Sequence, residues 1–202
     1  MREERCKTRA HDAIFASRVL VGPTTYQGWV KLRPMYFEFL RQMTKQLHQL
    51  NKWFDIAQTF AAAKTFDAQV LLQSRLAPDQ FSLLKQVQIT CDTAKLMISL
   101  VTGKDAPKQA DDESTFDELR TRVRDVLAYL EGFSASDFDD VGSKIITQPR
   151  WQGKVMSGAD YFLEHGIPNF FFHLSHCYAI LRHNGVPLGK KDYLGSLNMR
   201  EA

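Results

Sequence analysis

His173, His176, Cys177 and His183 crowd into one stretch, IPNFFFHLSHCYAILRHNGVPLGKKDYLG (167–195). Imidazoles exchange protons near neutral pH and are common metal ligands, and a thiolate is both a nucleophile and a ligand. On a helix, Phe170, His173, Cys177, Ile180 and Asn184 recur at steps of three and four and share a face, which Phe170 and Ile180 make the buried one. His173 and Cys177 are then i, i+4 neighbours directed at a core, with His176 and His183 one row away at its boundary. The polar groups expected opposite come from LLKQVQITCD, where Gln86 and Gln88 flank Val87.

Two chemistries suit this arrangement. His173 near its ordinary pKa can act as a general acid or base. The His173–Cys177 and His173–His176 pairs can also ligate a divalent ion if a facing helix adds a third donor. That helix carries no histidine, and the amide of Gln86 is a weak donor. The competing reading makes His173 a core residue hydrogen-bonded to a neighbour. Cys91 and Cys177 read first as small buried apolar residues, and nothing supplies an oxyanion hole for a Cys–His pair. His183 suits the carbonyl end of its helix. Asp111, Asp112 and Glu113 read as solvated loop and helix-start charges.

The elements that would position these groups are helical. Leu40, Met43, Leu47, Leu50, Phe54, Ala57 and Ala61 form one stripe from Met35 to about Ala63, with Pro34 as a start signal. The connection that follows has room for a short helical turn. A second helix is expected from Pro78–Asp79 to Gly103, with Phe81, Leu84, Val87, Cys91, Ala94, Ile98 and Val101 inward. After a polar loop, Thr115 and Glu118 form a capping box opening a third helix over 116–131, stopped by Gly132. SKIITQP and GKVMSG can pair as a short β-hairpin around Arg150–Trp151–Gln152, with Pro149 limiting it to an edge. The last helix starts near Ser157 and must kink or restart at Ile167–Pro168, because a proline there meets the carbonyl of Glu164. Asn184–Gly185 caps it and Pro187 prevents its continuation. The pattern is all-α, a four-helix bundle with one long crossover before the last helix.

Composition narrows the partners. The chain has 202 residues, 44% hydrophobic, and Phe alone contributes 14, enough for one domain with a substantial core. The net charge of +3 is local. Residues 1–34 hold Arg2, Arg5, Lys7, Arg9, Arg18, Lys31 and Arg33 against Glu3, Glu4 and Asp12, so the body is close to neutral. It shows no basic face interleaved with aromatics, which argues against nucleic acid. No apolar run approaches the roughly 18–20 residues that cross a bilayer. Cys6, Cys91 and Cys177, an odd and sparse set without a secretory signal, indicate reduced thiols in a cytoplasmic protein. The arm 1–34 reads either as a disordered segment or as a start assigned upstream of a true start at Met35. Residues 35–195 form the domain, and 196–202 a tail.

RLAPDQFSLLKQVQITCDTAK (75–95), DDESTFDEL (111–119) and PNFFFHLSHCYAILRHNGVPLGKKDYLG (168–195) resemble the signature stretches of the domain-of-unknown-function family DUF1993, over about Met35 to Gly195. That family is grouped with DinB-like proteins, up-down-down-up four-helix bundles. Many of these bind a divalent metal through a histidine on helix two and a His-x-x-x-His pair on helix four, and some catalyse thiol-dependent transfers or isomerisations. The resemblance implies His173 at the first position of the pair, Cys177 at the second and Gln86 near the helix-two ligand. This Gln–His–Cys set departs from three imidazoles. Two readings stay open. One is a metal-dependent enzyme with catalytic His173 and a pocket of Gln86, Asn169, His176, Cys177 and Tyr178. The other is a non-catalytic helical module that binds a small molecule without metal or assembles as a homodimer.

Overall fold

A computed structural model describes the protein over residues 33–201. The arm expected over 1–34 lies outside the described residues apart from Arg33 and Pro34, which open α1 (Arg33–Ala63). α2 (Leu83–Thr102), α3 (Phe116–Glu131) and α5 (Ile167–His183) complete the bundle. Every residue of the stripe anticipated on α1 is buried, and α3 buries Phe116, Leu119, Val123, Val126, Leu127 and Leu130.

Side-chain pairs fix the helix directions. Arg120, early in α3, reaches Asn51, Asp55 and Gln58 late in α1, whereas Glu131 at the end of α3 meets His48, so α1 and α3 are antiparallel. Asp92 in mid-α2 meets Arg122 in mid-α3, and Tyr129 near the end of α3 donates to the carbonyl of Lys104 just past α2; these two helices are parallel. Asn169 meets Thr93 and Ser74 meets Asn184, so α5 returns against α2. The order is up-down-down-up, as the family resemblance implies.

α2 begins later than its periodicity suggests. Residues 74–83 close into a loop in which the amide of Leu83 donates to the carbonyl of Ser74 and Arg75 donates to that of Gln80. Phe81, expected on the inner stripe, lies ahead of the helix and is 53% exposed. A short 3-10 helix, Ala68–Gln73, occupies the preceding connection. α3 opens with the anticipated box: Thr115 Oγ1 accepts from the amide of Glu118, and Glu118 Oε2 accepts from that of Thr115.

The crossover to the last helix contains the hairpin, β1 (Ile145–Thr147) paired antiparallel with β2 (Val155–Ser157), and a 3-10 turn at Pro149–Trp151 lies between the strands. α4 (Gly158–Asp160) passes into a π-helical segment, Tyr161–Gly166, and then into α5. The wider π turn is how Pro168 is accommodated. The amide of Ile167 bonds five residues back to Phe162, so the chain continues without a break. α5 ends as anticipated: Gly185 has φ +89° and the amide of Val186 returns to the carbonyl of Leu181. A short α6 (Lys190–Leu194) then folds back onto α1. Among the described residues, no helix is long and apolar enough to cross a membrane.

Candidate functional site

The contact between α2 and α5 is polar along part of its length. Gln86, Thr90 and Thr93 recur on α2 at steps of four and three, and Asn169, His173 and Cys177 at steps of four on α5. The π-helical segment leading into α5 packs closely on α2 at Gly166, where a Cβ would collide with the Met97 side chain. His173 Nδ1 lies 2.7 Å from Gln86 Oε1. The amide oxygen can only accept, so Nδ1 carries the proton and Nε2 holds the lone pair, with no hydrogen-bond partner among the described residues. Thr90 Oγ1 donates to the carbonyl of Gln86 at 2.8 Å and lies 3.9 Å from Cys177 Sγ. With its one proton committed, the threonine accepts from the cysteine thiol. Asn169 Nδ2 donates to Thr93 Oγ1 at 2.8 Å.

Burial sets the charge states. His173 is 8% exposed, and desolvation, reinforced by neighbouring His176, lowers its pKa to about 4. The imidazole is neutral at physiological pH and a weak proton acceptor there. Cys177 is wholly buried, and burial pushes its thiol well above the ordinary range; Cys91 is pushed up to about 12 by the same cause. Neither is poised as a nucleophile.

Gln86, His173 and Cys177 fit a divalent metal poorly. The amide oxygen is occupied by the imidazole, and the thiol keeps a proton bound to a hydroxyl. Among the described residues, no group of three His, Cys, Asp or Glu side chains is placed to hold an ion.

A pH dependence follows from the buried imidazole. The unfolded chain binds a proton near pH 6.5 and native His173 only near 4, so acidification through that interval protonates the unfolded state first. Stability falls as pH drops across this window. Between pH 7 and about 4.5, wild type is expected to lose roughly 2–3 kcal/mol more than His173→Asn, as read by urea unfolding. Parallel losses in the two proteins would remove His173 as the cause.

The other anticipated residues separate. His176 is half-buried and turned along its own helix, with Nδ1 donating to the carbonyl of Phe172 and Nε2 near the Gln80 amide. Tyr178 lies on another side of α5, against Trp53 and Tyr193, and the structure does not bring it to Gln86 and His173. Asn169 reaches a cavity of about 510 Å³ between α2, the π-helical segment and the hairpin. Arg150, Tyr161 and His165 also line it and were not among the residues singled out. The only signal was the Arg150–Trp151–Gln152 insert between the strand sequences. Thr90 and Thr93 were legible as polar residues in step with Gln86.

A family description, "domain of unknown function (DUF1993)", matches residues 35–194. Among solved structures, the crystal structure of a DinB family member from Shewanella denitrificans is 49% identical, with a TM-score of 0.83. The match covers 86% of this chain and 99% of that one. No curated protein matches.

Proposed function

From the premise that this chain belongs to the DUF1993 family of domains of unknown function, we propose that it is a DinB-like helical bundle that binds a small molecule along the α2–α5 face without a resident metal. The observation that carries this reading is the 2.7 Å bond between His173 Nδ1 and Gln86 Oε1. The two groups closest to a family ligand set satisfy one another; the bond leaves the proton on Nδ1, and burial keeps the ring neutral with an unprotonated Nε2. Such a ring presents a hydrogen-bond acceptor to a ligand, in a face whose other polar groups are amides and hydroxyls. With its pKa near 4, His173 has little capacity as a general base at neutral pH, which favours binding over proton transfer.

Elemental analysis of protein purified without chelators tests this, wild type beside His173→Ala. Substoichiometric metal in wild type, unchanged by added zinc, nickel or iron, is the expected result. Near-stoichiometric metal that disappears in a folded His173→Ala variant would overturn the reading and make Gln86–His173–Cys177 a variant metal site.

A further inference from the structure

The cavity between α2, the π-helical segment and the hairpin has an unbalanced charge. Arg150 projects from the turn between β1 and β2, and its only hydrogen bond among the described residues goes from Nη2 to His165 Nε2, at 2.8 Å. That partner is a neutral ring, because a guanidinium can only donate and Nε2 must hold its lone pair; burial and the adjacent charge lower the His165 pKa in the same sense. No carboxylate among the described residues pairs with Arg150. The nearby acid, Asp92, is committed to Arg122 at 2.7 Å and Lys95 at 3.0 Å. A guanidinium offers five donors in a planar fork, and most of this one's are unused.

The rest of the cavity suits an organic body. Tyr161 and His165 are stacked, with centroids 5.2 Å apart, and Trp151 packs edge-on against both. Leu96, 48% exposed on a helix otherwise mostly buried, contributes an apolar wall with Leu100 and Pro149. Gln148 donates to the Tyr161 hydroxyl at 3.3 Å, and Asn169 supplies an amide on the far side. About 510 Å³ lies within the usual range for small-molecule sites.

We propose that this cavity binds a small aromatic or apolar organic acid, with Arg150 holding its carboxylate and Leu96, Leu100 and the Tyr161–His165 stack holding its body. A monocarboxylate is preferred to a phosphate because the cavity lining supplies one cation and no lysine to match a dianion. The inference rests on the small-ligand reading of the α2–α5 face but places the ligand in the adjoining cavity, which Asn169 lines and His173 and Gln86 do not.

The test titrates benzoate into the full-length protein, followed by proton–nitrogen NMR. Benzamide serves as the uncharged isostere and phenyl phosphate as the dianionic one. Benzoate is expected to shift Gln148, Arg150 and Asn169. Arg150→Gln should weaken it by at least about tenfold, the scale of a charged hydrogen-bonded pair. Arg124→Gln, which removes the same charge from a site 72% exposed on α3, should leave it unchanged. Phenyl phosphate binding more tightly than benzoate would overturn the carboxylate assignment, and so would equal benzoate affinity in Arg150→Gln. Benzamide shifting the same residues as strongly would overturn it while leaving the small-ligand reading in place. Silence from all three probes at about 10 mM overturns the inference. Metal uptake lost in His173→Ala would instead overturn that reading, independently of the Arg150 result.

Discussion

Replacing Arg122 with alanine is expected to lower the unfolding free energy by about 3 kcal/mol, the low end for breaking a buried ion pair. The change strands the buried Glu113 carboxylate, while Asp92 and Asp111 are partly exposed and keep their lysines. The Arg122 side chain is 1% exposed and meets Asp92 and Glu113 at 2.7 Å and Asp111 at 3.0 Å. It also donates to the carbonyl of Ala110 at 3.0 Å. Lys95 bonds Asp92 and Gln109, Lys85 bonds Asp111, and Gln88 donates to Glu113. Three cations thus balance three carboxylates across α2, α3 and the loop between them. Burial alone would lower the arginine's pKa, but Glu113 and Asp92 outweigh it and hold the guanidinium charged. Asp111 is held below the usual carboxylate range, chiefly by its hydrogen bond to Lys85.

This corrects the reading of Glu113 as a solvated charge, since its side chain is 9% exposed; Asp111 stays exposed, and both anchor the loop over 104–114 to the bundle. Urea unfolding of Arg122→Ala, and of Arg122→Ala combined with Glu113→Gln, measures the effect. The double variant should lose less than the sum of the single losses, because Glu113→Gln removes a carboxylate that Arg122→Ala strands. A loss below about 1 kcal/mol for Arg122→Ala would place the network among pairs of negligible net worth.

Trp53→Ala should be comparably severe, about 3–5 kcal/mol, and should also release the C-terminal segment. Trp53 is fully buried on α1. Its indole N–H donates to the carbonyl of Asp192 at 3.0 Å, across 139 residues of sequence. Its ring stacks on Tyr193 at 5.7 Å and meets Tyr178 edge-on at 5.7 Å. α6 is also tied to α5, by the Tyr193 hydroxyl 3.0 Å from Ser175 Oγ and by the Tyr193 ring edge-on to Tyr178 at 5.6 Å. Asp192 accepts from the amide of Gly189 at 2.7 Å, closing the first turn, and Gly195, at φ +63°, lies where a Cβ would collide with Gln49. Hydrogen exchange in Trp53→Ala should therefore accelerate first over Leu188–Gly195, at urea concentrations where α2 and α3 stay protected. Exchange in that segment no faster than in wild type would show that something other than the indole holds it.

These results explain the GVPLGKKDYLG motif. Its residues serve docking here: Tyr193 and the Asp192 carbonyl hold Trp53, and Gly195 permits the close turn after α6. The motif is legible in the sequence, but its partner is not, because the contact joins α1 to a segment at the opposite end of the chain.

The helices, the capping box before Phe116, the hairpin and the stop at Gly185 were legible because each is a local property. Periodicity, capping and turn chemistry act within a few residues. The late start of α2 was not, since an apolar residue such as Phe81 keeps the helical period while a bond from the Leu83 amide to the Ser74 carbonyl, nine residues back, closes the loop instead. The Gln86–His173 pairing was approachable from two stripes and a family likeness, whereas the commitment of Nδ1 to the amide required the distance. Arg150 and His165 could not be joined in advance, because a hairpin turn and a π-helical segment meet only in the folded chain.

The helical bundle, its inner faces and the inward direction of His173 follow from side-chain patterning along each helix, which dictates what that helix must bury. Which polar groups are spent on one another is settled by packing between helices. Arg122 and its carboxylates, Trp53 and Asp192, and His173 and Gln86 pair across helices, while Arg150 is left with its charge unmatched. Partner choice depends on the spacing between packed elements and on the water excluded there, and neither quantity is written in any one stretch of chain.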